Sequence, residues 1–149
     1  MKYHLELTNT ANQALPGFFG ANIPRRAARG RQEDSLLIFL SQQSGEPFEE
    51  GQLRKWLENA SASFYKSSGS VTSAMRAAAF SLNASLAEKN LSLPPEHIPV
   101  SAQLSLGVIH HETLFLAQAG LSQVVLAKPG SRAFFFDADL EPRGLGLTQ

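Results

Sequence analysis

Cysteine is absent from the 149-residue chain, and charged residues are scarce. Without cysteine the chain can form no disulfide, no thiolate zinc site and no cysteine nucleophile. Charged residues make up 17% of the sequence, against about 25% in an average globular domain. The 13 Lys and Arg residues balance 13 Asp and Glu residues, so the formal net charge is zero. This neutrality argues against a nucleic-acid partner, because binding to a phosphate backbone depends on positive charge.

Long apolar runs are also missing. No run approaches the roughly 18 residues that a membrane helix needs, and Met1–Glu6 contains no apolar signal-peptide core. We therefore expect a cytoplasmic protein with no membrane partner. Since a domain has about 150 residues, the length predicts one domain over residues 1–149.

Apolar periodicity predicts the elements of the first part of the chain. Residues 2–8 alternate between apolar and polar, as in a half-buried strand. Turn formers and small residues predict a loop over residues 9–30. The apolar run Ser35–Leu40 predicts a strand buried on both faces, which residues 41–47 break.

Two amphipathic helices follow. Between about Glu49 and Tyr65 the apolar residues recur at the spacing of one helix face. These residues are Leu53, Trp56, Leu57, Ala60 and Phe64. Ser70 is a suitable N-cap for a second helix, whose apolar stripe continues through Leu82 to Leu86.

The second half of the chain contains four predicted strands, Ala102–Val108, Thr113–Ala119, Gln123–Ala127 and Arg132–Phe136, which form an antiparallel meander. Pro129-Gly130 suits a type II turn. The consecutive aromatic residues of the last strand indicate burial on both faces or an interface. The predicted fold is therefore α+β, with two amphipathic helices packed on an antiparallel sheet.

The segment Arg29–Asp34, with the sequence RGRQED, is the first candidate for chemistry. Mg²⁺ and Mn²⁺ take oxygen ligands, and arginine binds phosphate through two parallel hydrogen bonds. These residue types suit phosphoryl chemistry, and the alternative is a set of surface salt bridges. The wider basic stretch Arg25–Arg31 is either an anion or acidic-partner site, or a solvated loop neutralised by Glu33 and Asp34.

His110 and His111 form a second candidate, beside Glu112 at a predicted hairpin turn. Successive side chains of a strand point to opposite faces, so a metal ion shared by both rings requires an irregular turn. We therefore predict a solvated turn at this position.

With this order of elements, the RGRQED segment resembles the corresponding part of the PPM-type (type 2C) metal-dependent protein Ser/Thr phosphatases. Members of that family carry a phosphate-binding arginine after the first strand and loop, followed by Glu-Asp at the metal site. The resemblance implies that Arg29 binds phosphate and that Glu33 and Asp34 serve the metal site, with Mn²⁺ or Mg²⁺ as cofactor. It extends to the second helix, over residues 77–86, and to the hairpin over residues 114–126.

The chain departs from the family pattern at the metal-binding motifs. The family's Asp-Gly-x-Gly-Gly motif has no counterpart, and Leu121 and Gln123 replace the Asp and Arg of its Gly-Asp-Ser-Arg turn. The family's remaining metal carboxylates come from later segments, which we expect to be missing from this truncated domain. Because a two-metal site needs several carboxylates around ions about 3.5–4 Å apart, Glu33 and Asp34 alone cannot supply it.

We therefore expect a truncated and degenerate domain, equivalent to the N-terminal portion of the family's α/β sandwich. Such a pseudophosphatase is non-catalytic, holds no cofactor and acts as a binding or regulatory module. One alternative is a metal-dependent phosphatase completed by missing C-terminal segments or by a dimer partner. Another is a self-associating structural module that pairs across a two-fold axis. Both non-catalytic roles imply a protein partner or a second copy of the chain.

The same reasoning predicts two different effects on stability. Truncation of Leu82 to alanine in the core should cost about 2–5 kcal/mol. Asp34→Ala should hardly change stability when no metal is bound, since the fold depends on the helix stripes and the sheet.

Overall fold

The structure, a computed structural model, describes residues 17–21, 23–135 and 144–147. The strand predicted over residues 2–8 lies outside the described residues. The helices and strands follow one another as β1 (Phe18–Ala21), β2 (Ser35–Ser44), α1 (Glu50–Lys66), α2 (Val71–Leu91), β3 (Ser101–His110), β4 (Thr113–Ala119), β5 (Val124–Lys128) and β6 (Ser131–Phe135). Neither helix in these ranges is long and apolar enough to cross a membrane.

The strands β1 to β4 form one antiparallel sheet in the order β1-β2-β3-β4. Alternate residues of β2 are buried, namely Leu36, Ile38 and Leu40. The same hydrophobic core contains Leu57 of α1 and Leu82 of α2. Both helices therefore pack against this face of the sheet, and the predicted α+β class is confirmed.

Both helices form where the apolar stripes predict them. α1 extends from Glu50 to Lys66, close to the predicted ends. α2 begins after Ser70, whose Oγ accepts a hydrogen bond from the Ser73 N–H at 3.1 Å. This bond satisfies one of the free N–H groups of the first turn, so the predicted N-cap is confirmed.

The loop predicted over residues 9–30 is wrong where β1 forms. This short strand, at the edge of the sheet that the described residues form, pairs Phe18 with Phe39 of β2. At its start, Gly17 has a φ of +80°, and its carbonyl accepts a hydrogen bond from the Leu40 N–H at 2.9 Å. The strand owes its conformation to hydrogen bonds with a distant segment, which local composition does not reveal.

β2 continues through Ser44, beyond its predicted end at Leu40. Ser41 still pairs with Gln103 of β3, and the register shifts between Gln42 and Ser44. At this irregularity the Gln42 Nε2 donates to the Ser44 carbonyl at 3.0 Å. The partner strand and this side chain together keep polar residues in the sheet where the sequence predicts a break.

The predicted four-strand meander is divided between two sheets. β3 and β4 complete the main sheet, whereas β5 and β6 form a separate two-stranded hairpin. Gly130 in that hairpin has a φ of +78°, as a type II turn after Pro129 requires. Every residue of β6 is exposed. The alternative that the last strand is buried on both faces is therefore wrong, and the alternative that it forms an interface stays a prediction.

Two asparagines of α2 hold the segment around Gly146 against the main sheet. The Asn90 Nδ2 donates to the Gly146 carbonyl at 2.8 Å, and the Asn83 Oδ1 accepts from the Gly146 N–H at 2.9 Å. Next to Gly146, Leu145 exchanges two backbone hydrogen bonds with Ala102 of β3. The N–H and carbonyl groups of Leu145 and Gly146 are all hydrogen-bonded, so this segment is attached to both α2 and β3.

Candidate functional site

Two charged side chains are buried within the described ranges, Arg31 and Asp34, with exposed fractions of 2% and 0%. The chain turns between them, so that the Asp34 N–H donates to the Arg31 carbonyl at 3.4 Å. An ion pair joins Arg31 Nη1 to Asp34 Oδ2. Burying a charge is costly unless it is paired and hydrogen-bonded. Each of these two side chains therefore needs the other in order to be buried.

Arg31 also connects the loop before β2 to the connection between the helices. Its Nη2 donates to the Gly69 carbonyl at 2.5 Å, and its guanidinium carbon lies 5.6 Å from the centre of the Phe64 ring. A cation at this distance from an aromatic face is attracted to the ring. The Nε of Arg31 has no hydrogen-bond partner among the described residues.

Asp34 contacts two further elements. Its Oδ1 lies 2.5 Å from Nδ1 of His110, at the end of β3. Its main-chain carbonyl accepts a hydrogen bond from the Tyr65 hydroxyl of α1 at 2.9 Å. We call Arg31, Asp34, Tyr65 and His110 the Asp34 cluster. The cluster joins the loop before β2, α1 and the β3–β4 hairpin.

The ionised carboxylate determines which nitrogen of His110 carries a proton. An ionised carboxylate can only accept, so Nδ1 donates and Nε2 is the nitrogen that can accept a proton or bind a ligand. The His110 side chain is 31% exposed. Histidines held in this way by a carboxylate serve in metal centres and in proton transfer. Within the described ranges, no group of three or more His, Asp or Glu side chains is placed to hold a metal ion.

The structure separates the three residues that the resemblance implicates. Asp34 lies in the core, whereas Arg29 is exposed and the Glu33 side chain is 78% exposed. Arg31, two residues after Arg29, makes the contact with Asp34. In the sequence, Arg31 belongs to the same basic stretch as Arg29, and no neighbouring residue indicates which of the two contacts Asp34.

The alternative of a solvated loop for the basic stretch is wrong for one of its arginines, Arg31, because that side chain is buried. Arg25, Arg26 and Arg29 are exposed, and Arg31 is paired with Asp34 in the core. The exposed arginines leave the loop with a positively charged surface.

The prediction of a solvated turn at the two histidines is wrong for His110. Its partner, Asp34, lies 76 residues earlier in the sequence, so no local pattern indicates the contact. His111 is exposed and has a φ of +52°, as the first loop position of a two-residue hairpin turn requires. Its Nδ1 lies 3.7 Å from the Glu33 carboxylate at the surface. The two adjacent histidines therefore have different carboxylate partners, although their ring centroids lie 4.3 Å apart.

Comparisons of the chain with protein-family models, with curated proteins and with solved structures found no match. The functional argument therefore depends on the residues and their geometry.

The burial of the Tyr65 hydroxyl leads us to expect a loss of stability at alkaline pH. Burial raises the pKa of the phenol above its ordinary value, a backbone hydrogen bond from Leu36 lowers it in part, and the charge of Asp34 raises it further. The folded state therefore holds this proton more tightly than the unfolded state does. The contribution is fully present below about pH 10, the ordinary pKa of tyrosine, and is lost as the pH rises through the higher folded pKa.

We expect the free energy of unfolding of the wild type to fall more steeply above about pH 10 than that of Tyr65→Phe. Urea unfolding at several pH values, followed by the fluorescence of the single tryptophan, Trp56, measures both curves. Other titrating groups are common to the two proteins, so the difference between the curves isolates Tyr65. Parallel curves over this range would contradict the prediction.

Proposed function

We propose that the chain is a non-catalytic, PPM-type phosphatase-like domain that works by binding another protein. The observation that carries the non-catalytic part of this proposal is the environment of Asp34. Its carboxylate is buried, and its two oxygens are engaged by Arg31 and His110. A metal ligand needs an oxygen that faces the ion, and both oxygens of Asp34 face other side chains.

The charges around Asp34 also disfavour a divalent cation. The Arg31 guanidinium is in direct contact with the carboxylate and occupies the place of a counter-ion. The Glu33 carboxylate is exposed at the surface, and a two-metal centre needs several carboxylates together. Among the described residues, no group of three or more His, Asp or Glu side chains could hold an ion. The described residues therefore do not fit a Mn²⁺ or Mg²⁺ centre at Asp34.

One part of the fold supports the relationship that the resemblance implies, since two helices lie on one face of an antiparallel sheet. The hairpin over residues 114–126, on which the resemblance also rests, does not form, because β4 pairs with β3 and β5 pairs with β6. A fold of this kind can lose its chemistry and keep its core, because function depends on a few side chains. We place the domain in the cytoplasm, where a chain without cysteine needs no oxidising environment to fold.

The test is a phosphatase assay of the full chain on an aryl phosphate, with a Mn²⁺ titration by calorimetry. We expect no Mn²⁺-dependent turnover and no saturable heat that differs between the wild type and Arg29→Ala or Glu33→Gln. Both variants change exposed side chains, so their folding is not at risk.

Mn²⁺-dependent turnover in the wild type that Arg29→Ala abolishes would overturn the proposal. That result would favour the alternative of a metal-dependent phosphatase, completed by further segments or by a dimer partner. Ser63→Ala, which changes α1 rather than the loop before β2, is the matched control for general damage.

A further inference from the structure

The hairpin of β5 and β6 carries apolar side chains with no cover from the described part of the chain. Val125, Leu126, Phe134 and Phe135 are all exposed, and Phe134 is 71% exposed. In the described ranges, β6 pairs with β5 alone. A lone two-stranded hairpin is only marginally stable in water, and an exposed apolar edge strand tends to pair with another strand.

We propose that two copies of the chain associate through β6, which pairs antiparallel with β6 of the second copy about a two-fold axis. The two hairpins then form one four-stranded sheet in the order β5-β6-β6-β5. Among the described residues both strands of the hairpin have a free edge, since each pairs with the other alone. We choose β6 because all five of its residues are exposed, whereas Val124 of β5 is half-buried. The inference goes beyond the proposed function, since it holds whether or not the domain is catalytic.

The sequence of β6, Ser-Arg-Ala-Phe-Phe, is complementary to itself in this arrangement. Pairing the whole strand with its copy places Ala133 opposite Ala133 of the second copy. It also places Arg132 opposite Phe134 of the second copy, on the same face of the sheet, because the two residues are two apart.

In this register the charged side chain of each strand lies opposite an aromatic ring of the other strand. Arg132 is the one charged residue of β6, and it meets an aromatic ring rather than another cation. Like charges opposite each other destabilise strand pairs, whereas an arginine over an aromatic ring is attracted to it. The zero net charge of the chain adds no long-range repulsion between copies. A second copy therefore fits β6 without any change in sequence.

Light scattering of the full chain over a range of concentrations tests the association. We expect the mass to rise from the 16.2 kDa of one chain toward twice that value. Phe134→Asp should keep the mass at that of one chain, and Phe80→Asp, at an exposed position of α2, should leave the rise unchanged. A wild type that stays at one chain mass at every concentration would overturn the proposal, whether another segment or another protein covers β6.

Single cysteines test the register, since the chain has no cysteine of its own. In Ala133→Cys the Cα atoms of the two introduced cysteines lie about 4.5–5.5 Å apart, which is within the Cα–Cα range of a disulfide. In Ser131→Cys, on the same strand, the two cysteines of the dimer are offset along the strands by about four residues, or roughly 13 Å. We expect mild oxidation to cross-link Ala133→Cys at least tenfold faster. Equal rates would overturn the register, and neither outcome depends on the phosphatase assay.

Discussion

Asp34→Ala is expected to lower the free energy of unfolding by about 3–5 kcal/mol, the cost of leaving one partner of a buried ion pair alone. The guanidinium of Arg31 is 2% exposed and cannot reach water when its partner is removed. His110 loses the carboxylate that orients its ring. Urea unfolding, followed by the fluorescence of Trp56 and by circular dichroism, measures the change.

Glu33→Ala is the matched control, because it removes the neighbouring carboxylate from the surface. Its effect should stay within about 0.5 kcal/mol. The double variant Arg31→Met/Asp34→Leu removes both charges, and we expect it to be more stable than Asp34→Ala, since a buried pair can be replaced by apolar side chains at little cost. Equal effects of Asp34→Ala and Glu33→Ala would show that the buried pair does not contribute.

This expectation reverses the one that the sequence alone supports. A carboxylate at a metal site without its metal can be removed at little cost, and the RGRQED string resembles part of such a site. The structure instead places Asp34 in the core with an arginine and a histidine. The same residue thus changes from a candidate ligand to a structural ion pair.

Leu82→Ala is expected to lower the free energy of unfolding by about 2–5 kcal/mol, as a large-to-small change in the core does. Leu82 has an exposed fraction of 0% and packs in one cluster with Leu57 of α1 and Leu104 of β3. The truncation removes contacts with the other helix and with the sheet at once. The same unfolding experiment measures it.

Phe80→Ala provides the control on the same helix. Phe80 is 65% exposed, so removing its ring should change stability by no more than about 0.5 kcal/mol. If Phe80→Ala lowered the free energy of unfolding as much as Leu82→Ala, the Phe80 side would be a buried side of α2. That result would contradict the prediction.

The helices and most strands could be predicted because their signals are local. The stripe from Leu53 to Phe64 repeats at helical spacing, and one face of α1 must be buried for such a pattern to persist. Ser70 caps α2 through its own side chain. Alternation over Ala102–Val108 in β3 reflects a sheet with one buried face. Each of these features needs only residues within a few positions of one another.

The edge strand β1 and the division of the meander could not be predicted in the same way. Phe18 is in a strand because Phe39 provides its partner. β5 and β6 leave the main sheet although the sequence predicts them as strands of the same meander as β3 and β4. Strand pairing depends on which segment lies alongside, and that is a property of the folded chain.

The sequence by itself determined the composition, the two helices, the N-cap at Ser70 and the existence of a buried sheet face. The tertiary structure decided that Arg31 rather than Arg29 pairs with Asp34, that His110 completes the cluster, and that the β5–β6 hairpin stands exposed. The physical reason is the range of the interactions involved. Helical periodicity and capping act within a few residues, whereas a buried ion pair forms only between groups that folding brings together and removes from water.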